Sequence, residues 1–419
     1  MTGTDALAQP FDEAFAAAPY EVYGRLREEA PVHRVALPDG SPVWLVMRDE
    51  DVRAGLADPR LSVNKAHSAT GYRGFSLPPA LDANLLNIDH EDHIRLRRLV
   101  SQGFTPRHTE KLRARTEEVA EGLADRLAEE FARSERGGRA EWDEQGERGE
   151  PGAGRSVDLV AEYATPLPLT VIGDLFAVPE ADRRPFAGWV RAMLAMESAA
   201  QVGEAIQQMH GFLRNLVRER RQSPGDDLLS DLIAARDAED RLTEDELCSL
   251  AFLLLGAGIE NVQHVIGSGL LTLLDHPEQR AELAADPGLL PGAVEELLRC
   301  THPNLAAIRR FPTEPVDFGG VRIPAGDTVL LCLASANRDP ARHADPERFD
   351  IHRGDPTHLA LGQGMHYCLG APLARMEIGI AVETLLRRFP TLHLAVPAGE
   401  LEWQTTFRSR GLRSLPVRR

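Results

Sequence analysis

The stretch Thr243 to Pro277, TEDELCSLAFLLLGAGIENVQHVIGSGLLTLLDHP, limits what this chain can fold into more than any other. Thr243 and Glu246 stand at the spacing of a capping box, and Leu242 with Leu247 forms a hydrophobic staple, so a helix begins at Glu244. It runs to Asp275, where His276-Pro277 stops it, because the residue before a proline is pushed out of the α region. Its body is apolar on nearly all sides, and such a helix belongs in an interior. The apolar run from Cys248 to Ile259 is ended by Glu260 and falls short of the roughly 20 residues a membrane helix needs. The interior it crosses is therefore that of a protein.

At 419 residues with 43% hydrophobic side chains, the chain can bury a large core. Helical patterns rich in Arg and Ala dominate. Short alternating segments around VDFGGVRIPAGDTVLLCLAS, with turns at Gly319-Gly320 and Pro324-Ala325-Gly326, predict a small β region in the C-terminal half. The fold class is mostly α with a small β region (α+β). The segment 133–156, rich in Gly, Glu and Arg, reads as a flexible insert and not a domain boundary, since helical patterning resumes at VDLVAEYATPLPLTVIGDLF. There is no internal repeat, so one domain over 1–419 is expected.

The net charge of −17 argues against a general nucleic-acid binder, although HIRLRRLV (93–100) is a local basic patch. The four cysteines, Cys248, Cys300, Cys332 and Cys368, are far apart and in no paired pattern, which fits a reducing cytoplasm. The N-terminal MTGTDALAQPFDEAF has no basic start followed by an apolar run, so no signal peptide is expected. A cytoplasmic protein with no membrane partner follows as the expectation.

Three places carry chemistry. Cys368 lies in the glycine-rich LALGQGMHYCLG, just before a helix with Pro372 in its first turn. Free N–H groups and the helix dipole there should lower the thiol pKa, and the glycines let backbone approach a flat or bulky object. A buried cysteine in a loop is the blander alternative. Glu260 sits mid-helix among apolar residues, where a charge needs a partner or a task, and Gly256 and Gly258 leave room for a ligand against the helix. Glu296 and Arg299 share one helix face, which alone is an ordinary surface pair.

Taken together these segments resemble the cytochrome P-450 superfamily, in particular its soluble actinobacterial type, over nearly the whole chain. LGQGMHYCLG is similar to the family's heme-binding loop, which implies heme b (iron protoporphyrin IX) with Cys368 as the metal ligand and Leu361, Gly362 and Gly370 around it. AGIEN (257–261) matches the oxygen-binding stretch of a long central helix over the heme, implying Ala257 and Gly258 as heme contacts and Glu260 and Asn261 as catalytic residues. Glu296 and Arg299 fit the E-x-x-R pair, with Arg348 of PERF as the implied third structural member. His93 and Arg97, with Arg310 of IRRF and His366, are implied partners of the heme propionates.

Two departures stand out: leucine at 361 where the family usually has phenylalanine, and Asn261 where it has threonine. An asparagine amide hydrogen-bonds but relays protons poorly, which assigns proton delivery to Glu260 with ordered water, or else to a polar group of the substrate. By family position PPALDANLLN (78–87), GWVRAMLAMESAA (188–200), the central helix, NLAAI (304–308) and TTFRSR (405–410) line the substrate cavity, with Leu85, Leu253, Ala306, Ile308 and Arg408 as contacts. His264 is read as a histidine satisfied within the fold.

The resemblance implies a monooxygenase that hydroxylates, or otherwise inserts one oxygen atom into, a small natural-product molecule of bacterial secondary metabolism. That substrate is free or, like an amino acid in some members, tethered to a carrier protein. Dioxygen and electrons from NAD(P)H through a ferredoxin and its reductase complete the scheme, with Arg97, Arg98 and Arg375 as a basic docking face. Oxidative coupling or peroxide use without oxygen insertion is one alternative, and a heme-based ligand sensor is another.

Overall fold

The computed structural model describes residues 7–71, 77–137, 156–195, 198–239 and 242–419. The central helix runs Glu244–Asp275, capped as its sequence requires: the Thr243 hydroxyl accepts from Glu246 N–H, and the Glu246 carboxylate accepts from Thr243 N–H. His276 is its C-terminal cap. Buried residues occur all along it, from Leu247 to Leu273. It is long and apolar enough to cross a membrane by length and composition, yet most of its apolar window is buried inside the protein. The helices Pro166–Leu175, Leu290–Thr301 and Ala371–Arg388 pack around it, sharing one continuous apolar core.

The β structure is small and divided. Val316–Phe318 pairs with Val321–Ile323 across the Gly319-Gly320 turn, as the alternation predicts. Val329–Leu331 instead joins an N-terminal hairpin, lying parallel to Pro42–Val46, which pairs antiparallel with Val32–Ala36. That hairpin corrects the expectation of β structure confined to the C-terminal half. Its signal was present: Pro38-Asp39-Gly40 separates two apolar runs, and Gly40 sits at φ +81. A last hairpin, Trp403–Thr405 with Arg410–Leu412, lies against the central helix.

The long helix Pro106–Gly137 takes in the start of the segment 133–156, which trims the expected insert. Residues 138–155 of that insert lie outside the described residues, as do 196–197 of the expected cavity segment 188–200 and the first six residues of the N-terminus.

Candidate active site

The site forms where the loop 359–370 meets the middle of the central helix. Gly362 and Gly364 both adopt φ +72, and a Cβ on Gly364 would stand 2.9 Å from the Leu56 carbonyl oxygen. Only glycine takes that conformation at that closeness without strain. Cys368 N–H donates to Leu361 O at 2.8 Å, which closes the loop ahead of the helix Ala371–Arg388. Burial raises the Cys368 thiol pKa, against the lowering influence of Gly370 N–H and the charges of Arg97 and Arg375. The expectation of an acidified thiol is therefore corrected: desolvation wins, and a metal ion must displace the proton on binding.

A cavity of about 370 Å³ lies between this loop and the central helix, in the size range of small-molecule sites. Leu361, Gly362, His366, Cys368 and Gly370 line it from the loop, and Ala257, Gly258 and Asn261 from the helix. Leu85, Leu253, Ala306, Ile308 and Arg408, all expected as substrate contacts, lie on its wall as well.

One side of the cavity collects nitrogen groups, among them the His93 ring and Arg310 Nε without hydrogen-bond partners. His93 is fully buried, and neither ring nitrogen has a hydrogen-bond partner. Burial, then the charges of His366 and Arg97, push its pKa down to about 4. Arg310 is buried with Nε unpartnered; its Nη1 donates to Leu61 O at 3.3 Å, and burial lowers the guanidinium to about 10. Arg97 donates to Tyr367 O at 2.6 Å. The His366 ring lies 4.4 Å from that of His93, with its Nε2 3.6 Å from Asp89 Oδ1. Buried donors without acceptors are costly, and a pair of carboxylates is the complement this cluster lacks. Among the described residues no group of three or more His, Cys, Asp and Glu could hold a metal. An iron carried in a macrocycle with two carboxylates, needing one sulfur ligand from the protein, fits the residues present.

Glu260 lies outside the cavity lining. Its carboxylate is 3.6 Å from His264 Nε2 one turn on, and the His264 ring packs on Gly411 of the last hairpin. Asn261 does face the cavity, and its amide is held twice: Nδ2 is 3.4 Å from Ala257 O, and Oδ1 accepts from Asn304 Nδ2 at 3.1 Å. Asn304 was expected only as part of the cavity-lining segment NLAAI; its hydrogen bond to Asn261, which joins residues 43 positions apart, was not. Sequence reading missed Glu377, fully buried on the cavity wall, whose carboxyl burial raises well above its ordinary pKa. The one available signal was an acid inside the apolar run MEIGIAV.

Glu296 and Arg299 form a buried two-pronged pair, both contacts 2.8 Å. Their third member is Arg353, whose Nε donates to both Glu296 oxygens at 3.1 and 3.0 Å. Arg348 is corrected: a turn that places Arg348 N–H on Asp345 O sends its side chain out, 3.4 Å from Asp350, and only its carbonyl faces Arg299. The expected docking face is thinned likewise. Arg98 is exposed, but Arg97 lines the cavity and Arg375 is bound to Glu295 at 2.6 Å.

With this geometry in hand, the comparisons are specific. The family profile described as "Cytochrome P450" matches residues 183–286 and 288–401. The chain is 45% identical over 405 residues to "Cytochrome P450 monooxygenase PikC" of Streptomyces venezuelae, covering 96% of this chain and 92% of that protein. It is 39% identical to "Mycinamicin IV hydroxylase/epoxidase" of Micromonospora griseorubida over the full length of both. Among solved structures, the tirandamycin C-bound P450 monooxygenase TamI superposes with TM-score 0.86 at 42% identity, covering 98% of this chain and 99% of that one.

Proposed function

The chain belongs to the cytochrome P450 family, an oxidoreductase with heme b as cofactor, and on that premise we propose that it inserts one oxygen atom into a small, largely apolar natural-product molecule of bacterial secondary metabolism. The observation that carries this reading is the cavity wall shared by Cys368, the unpartnered His93 ring and Arg310 Nε, and the apolar residues Leu85, Leu253 and Ile308. The similarity to a mycinamicin hydroxylase/epoxidase and to a tirandamycin-bound monooxygenase supports it.

Cys368 would hold the iron, while His93, Arg97, Arg310 and His366 would hold the two carboxylates of the macrocycle through charge-assisted hydrogen bonds. The chemistry that heme b would supply is activation of dioxygen, which a thiolate ligand from Cys368 would promote by donating electron density. The protein orients the substrate and excludes water from its apolar wall. Asn261 offers an amide N–H at the helix side of the cavity. Glu260 Oε1 lies 3.6 Å from His264 Nε2, one turn along the same helix and outside the cavity lining. Electrons come from NAD(P)H through a ferredoxin and its reductase, in the cytoplasm.

Reduced protein under carbon monoxide tests the premise: the long-wavelength band of thiolate-ligated heme is expected, and Cys368→Ser abolishes it. Screening metabolites, both free and carrier-tethered, for shifts in the heme spectrum, followed by product mass spectrometry, tests the substrate class. Asn261, an amide in place of a hydroxyl, favours a second reading of oxidative coupling or peroxide use. Product formed under labelled dioxygen separates the two, since coupling leaves no label.

A further inference from the structure

We propose that Asn304 is a positioning residue, fixing the Asn261 carboxamide so that it turns an N–H, and not its oxygen, toward the cavity. The orientation follows from two contacts that agree. Ala257 O, 3.4 Å from Asn261 Nδ2, is an acceptor and excludes the amide oxygen from that side. Asn304 Nδ2, a donor, then meets Oδ1 at 3.1 Å. An amide NH₂ carries two protons, so the second remains for the cavity that both residues line. Reversing the Asn261 amide would set oxygen against the Ala257 carbonyl and NH₂ against NH₂.

The backbone around Asn304 is held on both flanks. Arg410 N–H donates to Pro303 O at 2.9 Å and Leu305 N–H to Arg408 O at 2.8 Å, clamping residues 303–305 to the last hairpin. On the other flank the buried His302 ring accepts from Asn337 Nδ2 at 2.9 Å, and Arg299 donates to Asn337 O at 2.9 Å. Asn261, by contrast, has a helical backbone and an amide free to turn about its terminal torsion except at these contacts. The direction of the donor that replaces the usual hydroxyl is thus set jointly by the Ala257 carbonyl on the central helix and by Asn304 outside it.

This inference rests on the heme reading, so its test reads both. The ferrous–carbon monoxide complex is prepared from the wild type, Asn261→Ala, Asn304→Ala, the double variant and Asn304→Asp. The long-wavelength band in each reports ligation and folding. The stretching frequency of bound carbon monoxide, read by infrared spectroscopy, reports a nearby N–H donor. Asn304→Ala is expected to lose the same shift that Asn261→Ala loses, and the double variant to lose no more. Asn304→Asp, nearly isosteric but unable to donate, should move the frequency away from the wild-type value by drawing Asn261 Nδ2 toward the new carboxylate. Wild-type frequency in Asn304→Ala or Asn304→Asp, with Asn261→Ala shifted, overturns the proposal, as do additive shifts in the double variant. Absence of the long-wavelength band in the wild type sinks the heme reading instead.

Discussion

Arg299 and Arg353 converge on one buried carboxylate, and the value of that arrangement lies in what its removal leaves behind. Glu296 accepts from both guanidinium groups and from Asp350 N–H at 3.0 Å. Taking away Arg353 leaves the buried carboxylate to Arg299 and Asp350 N–H, and loss of a hydrogen bond to a charged group costs about 1.5–3 kcal/mol. Arg348, with its side chain 65% exposed, should cost within about 0.5 kcal/mol on conversion to alanine. Urea unfolding of Arg353→Ala and Arg348→Ala should separate the two by that margin; equal losses would restore Arg348 to the pair. At Asn261 the expectation is chemical: Asn261→Ala should raise the peroxide released per NAD(P)H consumed while leaving unfolding nearly unchanged, and unchanged release would remove Asn261 from oxygen chemistry. Cys368 was legible because the glycines, the sulfur and the helix start occupy consecutive positions. Arg353 was not, because which arginine turns inward is decided by the positive-φ turn at Asp345, and the Asn304–Asn261 contact was not, because the two residues are remote in sequence.

At the scale of elements, the central helix declared itself through its cap and its all-round apolarity, features that depend on local sequence and hold from Thr243 to His276. Its contact with the last hairpin did not. Gly411 lies under the His264 ring so closely that a Cβ would overlap Nδ1 and Cε1 of the imidazole. The glycine is therefore part of how His264 is placed against Glu260. Gly411→Ala must push the ring or the hairpin aside, an overpacking that costs about 1–3 kcal/mol. Thermal unfolding should register that loss. Coupling of electrons to product should fall with it if the Glu260–His264 pair handles protons, and His264→Ala in the Gly411→Ala background should recover the stability but not the coupling. Recovery of both would reduce the pair to packing.

The whole molecule carries a weakness to acid built from its own interior. His302 is buried, its Nε2 accepting from Asn337 Nδ2, and burial followed by the charge of Arg338 lowers its pKa to about 3. Burial, then Arg299, lowers His343 to about 4. In the unfolded chain both rings take up protons near the ordinary pH of about 6.5. Between that pH and the folded values the unfolded state binds more protons, so stability rises with pH across the window and is lost as pH falls through it. His302 alone accounts for a slope that grows toward about 1.4 kcal/mol per pH unit as pH falls below the unfolded value. Its protonation also has a definite structural consequence. Asn337 cannot turn its amide to accept from the charged ring, because its Oδ1 already takes Leu359 N–H at 2.6 Å. Leu359 opens the loop that carries Cys368, so acid reaches the site through the same residues that hold it in place. Urea midpoints of the wild type between pH 7 and pH 5 should fall, and His302→Asn, which does not titrate, should flatten the fall by that slope; an unchanged pH dependence would place the acid sensitivity elsewhere.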